Sequence, residues 1–116
     1  MQAELNDSPT ARQIWEALPI EGSANTWGDE IYFRIPVAAE QDPDARADID
    51  VGELGYWPVG SAFCIFFGPT PVSTGNQPRA ASPVNILGQV LGDATEFRTI
   101  SDGTRLTLSR NENGKE

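Results

Sequence analysis

The sequence predicts a mainly β fold, a small closed or partly closed barrel with one capping α-helix. Three observations predict it: several short segments alternate in side-chain character with period two, a single segment carries a helical apolar stripe, and the connections are rich in glycine and proline. The 116 residues suit one compact domain, expected over 1–110, with a disordered tail over 111–116.

The helix is expected over residues 9–18. Ser8 is a suitable N-cap, Pro9 sits where its missing N–H is harmless, and Pro19 ends the run. Ala11, Ile14, Trp15 and Leu18 fall at i, i+3, i+4 and i+7 and form one apolar face, so the helix reads as a lid. Over 30–37, Ile31, Phe33, Ile35 and Val37 alternate with Glu30, Tyr32, Arg34 and Pro36, so one face packs and the other meets water or a ligand. The segment 60–67 is apolar on both faces and is expected to be a central strand covered on both sides. Over 84–91, Val84, Ile86 and Val90 share a face, and Gly88 marks a bulge or a close backbone contact. A half-exposed strand is expected over 104–110, through Leu106 and Leu108.

The connections carry their own signals. Residues 40–53 hold six acids against Arg46 alone and read as a solvated connection. Their spacing does not fit a calcium loop, and no metal site is expected. Residues 68–83 contain Pro69, Pro71, Pro78 and Pro83 around Gly75-Asn76, a stiffened excursion with a turn at its tip.

Composition excludes several kinds of chemistry. With no histidine there is no Ser-His-Asp triad, no Cys-His dyad and no imidazole base. The single cysteine, Cys64, lies in an apolar run and reads as a buried, inert thiol rather than a nucleophile. Seventeen acids against eight bases give a formal charge of -9, which repels phosphate backbones, so no nucleic-acid partner is expected. No basic start leads into an apolar stretch, and no segment approaches the roughly 20 apolar residues of a membrane span, so a cytoplasmic protein without a membrane partner is expected.

Two segments together carry a resemblance. Trp27-Gly28-Asp29-Glu30-Ile31-Tyr32-Phe33, and the stretch from Gly55-Tyr56-Trp57-Pro58 through Gly68-Pro69-Thr70-Pro71, resemble the signatures of small prokaryotic cyclophilin-like proteins. Val84-Asn85-Ile86-Leu87-Gly88-Gln89-Val90, followed by Gly92 and Asp93, resembles the late strand of the same family, and the likeness runs from about residue 5 to 108. It implies a barrel of the cyclophilin architecture with a helix plugging one end, and no particular activity for this branch. Larger cyclophilins are peptidyl-prolyl isomerases, in which an arginine on the outer face acts on the prolyl amide and aromatics hold the ring. Phe33-Arg34-Ile35-Pro36 resembles that segment in shortened form, so Arg34 is the catalytic candidate the resemblance implies. Aligning on Gly88 puts Val84 where those enzymes keep a histidine, and their glutamine and methionine have no counterpart. The plain alternative pairs Arg34 with Glu30 or another acid on a solvated face, worth about 1 kcal/mol.

Tyr56, Trp57, Phe66 and Phe67, beside Pro69-Thr70-Pro71, suit either an apolar ligand pocket or the core and its rim. Phe63 and Phe67 read as core and Trp27 as a packing anchor, and Trp57-Pro58 is a candidate cis bond. The expected function is a non-catalytic module that binds a small molecule or peptide segment in a groove of Tyr32, Tyr56, Trp57, Phe66 and Thr70 beside Arg34, with no cofactor. The alternatives are a weak proline isomerase and a structural or oligomerisation protein. Acid-base work by Glu30 has one carboxylate and no visible partner behind it. Relatives usually begin with a complete first strand and hairpin before the equivalent of Ala3-Glu4-Leu5. Without it an edge is left that a second copy of the chain, or the chain's own C-terminal residues, could pair with.

Overall fold

The computed structural model describes residues 1–111. The chain runs β1 (Gln2–Leu5), α1 (Pro9–Ala17), β2 (Ile20–Ser23), β3 (Asn25–Thr26), β4 (Glu30–Arg34), β5 (Arg46–Asp48), β6 (Glu53–Trp57), β7 (Ala62–Phe66), β8 (Arg79–Leu91), a 3-10 turn (Ala94–Thr99) and β9 (Arg105–Leu108). The main antiparallel sheet has the order β1-β8-β6-β7-β4-β3, with β5 also on β8. β1 and β3 end the path unpaired with each other, so the sheet is open and not a closed barrel. β9 pairs with β2 in a small second sheet, so the C-terminal strand does not fill the edge beside β1. Apart from Asn111, the expected tail lies outside the described residues.

The helix starts as its sequence dictates: the Ser8 hydroxyl accepts from the Ala11 N–H at 3.3 Å, and Pro9 follows at the first position. Ala11 and Ile14 are buried, but Trp15 is not, at 45% exposure. It sits at the margin of the stripe and stacks under Arg110, whose guanidinium is 5.3 Å from the ring centre and donates to the Trp15 carbonyl. The cis bond is Leu18-Pro19 and not Trp57-Pro58.

β7 is the two-sided strand that its sequence predicts, with all five residues buried. On one face Phe63 and Ile65 join Ile31, Phe33, Leu54 and Leu87 under α1. On the other, Ala62, Cys64 and Phe66 pack with Ile49, Ala80 and Val84. That second cover comes from the first half of β8 and from β5, which pairs Arg46 with Val84 and Asp48 with Arg79. The acidic connection is therefore not simply solvated. Ile49 is buried in it, and Arg46 forks onto Glu53 at 2.9 and 2.7 Å. Gly88, the suspected close contact, has φ +148, and a Cβ there would strike the Glu4 carbonyl of β1.

Two buried polar side chains fix the segment between β4 and β5. The Tyr56 hydroxyl donates to the Val37 carbonyl at 2.7 Å and accepts from the Ala39 N–H at 3.1 Å. Asn85 accepts from the Asp42 N–H and donates to the Glu40 carbonyl and the Thr10 hydroxyl, which ties the segment to α1 as well. Tyr56→Phe removes one latch and leaves two backbone groups to repair; it should lower unfolding free energy by about 1–3 kcal/mol in urea titrations. An unchanged midpoint would contradict a latch.

Candidate functional site

Strand register builds the outer face of the sheet in rows. Arg34 pairs with Ala62, which pairs with Trp57; Tyr32 pairs with Cys64, which pairs with Gly55; Glu30 pairs with Phe66. The middle positions Ala62, Cys64 and Gly55 are small, while Tyr32 and Trp57 stand to either side. Small residues between large ones make a hollow. It is a cavity of about 240 Å³ lined by Trp27, Tyr32 and Trp57, with Glu30 among them and Ala80, Ala81 and Val84 of β8 closing it.

The aromatic side chains are placed by local structure. The Trp27 N–H donates to the Glu30 carbonyl at 2.9 Å, closing the turn from β3 to β4. Trp57 donates its indole N–H to the Ser82 hydroxyl at 2.7 Å, and Gly60 lies against its ring, where a Cβ would come within 2.8 Å. Trp57 is therefore fixed by its indole N–H and by Gly60 against its ring.

Glu30 is the unusual member. It is 6% exposed and forms no ion pair among the described residues. Burial pushes its carboxyl up from 4.5 to about 7, and a hydrogen bond with the Cys64 thiol opposes the shift. Burial, then the adjacent Glu30, hold the Cys64 thiol well above its usual range, so it stays protonated and is not a nucleophile. Near neutrality the cavity therefore contains a carboxyl able to be either a neutral donor or an unpaired anion. Among the described residues no group of three or more Cys, Asp or Glu could hold a metal ion.

Of the residues singled out in the sequence, Tyr32 and Trp57 line the cavity. Tyr56 belongs to the inner core, and Phe66 is wholly buried under β5 and β8. Thr70 is buried in the connection that leads into β8, where its hydroxyl donates to the Arg79 carbonyl. Arg34 shares the outer face but is exposed, does not line the cavity and pairs with no acid among the described residues. Tyr56 and Trp57 are consecutive in a strand and point to opposite sides, so no groove can take both. Glu30 and Trp27 were legible only in part. A central strand apolar on its outer side requires a cover, and that cover encloses Glu30 as well.

A sequence model of the cyclophilin-like family matches residues 1–109, and the chain belongs to that family. Its fold is similar to the solution structure of a hypothetical protein from Archaeoglobus fulgidus, with a TM-score of 0.78 and 38% identity over 94% of this chain and 85% of the other. No curated protein matches the chain. No helix among the described residues is long and apolar enough to cross a membrane.

Replacing Glu30 with glutamine tests its burial. Between about pH 4.5 and 7 the native state keeps a proton that the unfolded chain has released, so this group's contribution to stability falls as pH rises through that window and is level above it. The Glu30→Gln variant should match the parent near the acid end and exceed it by on the order of 3 kcal/mol at about pH 8. A difference independent of pH in paired urea titrations would contradict the burial.

Proposed function

We propose that the protein is a binding module that takes a small molecule in the outer-face cavity and performs no covalent chemistry on it. One observation carries this reading: three aromatic side chains and a buried carboxyl line one hollow, together with the small residues Ala80 and Ala81 of β8. Apolar walls with a few placed polar groups are the usual form of such sites. Among the described residues Glu30 is the only carboxyl on the lining, and Cys64 is held as a thiol, which gives neither an acid-base pair nor a nucleophile there.

Proline isomerisation is the second reading. It draws on the row in which Arg34 and Trp57 flank Ala62 on one face. It places the substrate across that row, outside the cavity. A protease-coupled proline peptide assay separates the two readings. The binding module predicts no rate above background, and catalysis lost in Arg34→Ala would favour the isomerase.

The binding reading predicts that a library of small ligands contains compounds that raise the melting temperature with the logarithm of their concentration. Trp57→Ala should abolish those shifts, while Tyr56→Phe should keep them on a lower baseline. Shifts that survive in Trp57→Ala would move the site elsewhere, and a library with no shifts would count against the module.

A further inference from the structure

We infer that the cavity accepts a small organic ammonium ion, held by the Glu30 carboxylate and by the rings of Trp27, Tyr32 and Trp57. This rests on the cavity being a ligand site and adds the charge class of the ligand. Three aromatic rings would suit many apolar ligands. The carboxyl is what narrows the choice, because it lies among apolar neighbours with no cationic side chain on the cavity wall. Packing alone does not account for it, since an aliphatic side chain opposite Phe66 would serve the second core better than an acid.

The groups around Glu30 leave the role of counterion open. Cys64 on β7 contacts it as a neutral thiol, and Tyr32 shares its strand face. β6 contributes Trp57 and β8 contributes uncharged lining residues. Arg34 and Arg79 are exposed and form no ion pair with it. An ionised Glu30 is thus a desolvated anion with only a weak thiol donor beside it, and a bound cation would supply the counterion. Aromatic faces attract ammonium groups through their quadrupoles, most strongly where water is excluded. The formal charge of -9 also draws cations toward the protein from a distance. At about 240 Å³ the cavity is smaller than those that hold drug-sized ligands, so a headgroup-sized cation fits.

Tetramethylammonium and choline keep their charge at every pH, and dimethylbutanol is the neutral carbon analogue of choline. Binding of each to the full chain is followed by calorimetry and by the indole resonances of Trp27 and Trp57. The inference expects both cations to bind the parent at about pH 8 at least about tenfold more tightly than the alcohol. Glu30→Gln should erase that preference and leave alcohol binding unchanged, which also shows that the variant is folded. In the parent, choline affinity should fall about sevenfold or more between pH 8 and 5.5, toward its value in Glu30→Gln, as Glu30 gains its proton, with no such fall for the alcohol. Equal affinities for cation and alcohol, or choline affinity in the parent that ignores pH, would overturn the cation and keep the cavity as a site. If neither cations nor alcohol move the two indoles, both readings fall.

Discussion

All of β7, from Ala62 to Phe66, is buried, so water must be kept from both faces of one strand. The inner face, widened by the inward residues of β4 and β6 on either side, is covered in the ordinary way by the apolar stripe of α1. The outer face needs a second layer, and the chain supplies it by extending β8 to thirteen residues and laying its first half, with β5, over Cys64 and Phe66. Much else follows from that requirement. The acidic connection must dip to place Ile49, and Asn85 and Tyr56 must hold the segment before β5.

The same cover creates the cavity. Ala62, Cys64 and Gly55, in two neighbouring rows, keep the outer face low, and Val84 fills the space over Gly55 while also lining the hollow with Tyr32. Buried polar groups elsewhere are satisfied within the protein: Asn85 by three partners, Tyr56 by two. Glu30 departs from this pattern. Its protein partner is a thiol, a weak donor, and the cavity wall beside it carries no cationic side chain. A carboxyl in that setting remains protonated up to neutrality unless something charged enters beside it.

Much of the fold was legible in the sequence. Period-two alternation located β4, β7, the second half of β8 and β9, and Ser8-Pro9 with Pro19 bounded the helix. The first half of β8 was hidden by Pro78 and Pro83, which read as loop, and β5 was hidden by the acids around it. Trp15 matched the helical stripe but is shielded by Arg110 from a distant part of the chain, which local periodicity cannot foresee. The site was half legible. Tyr32 and Trp57 follow from alternation, whereas grouping Tyr56 with Trp57 ignored the opposite faces of neighbours in a strand. That Glu30 is buried follows only once the cover over β7 is known.

The central claim is that one carboxyl stands in this covered face. Side-chain carbon NMR, titrating the seventeen Asp and Glu carboxyls of the chain, measures it most directly. The account predicts one glutamate with a midpoint at about 7, absent in Glu30→Gln, standing apart from the rest. If Glu30 instead titrates at its ordinary value of 4.5, it is not covered, and the cavity described here is not the site.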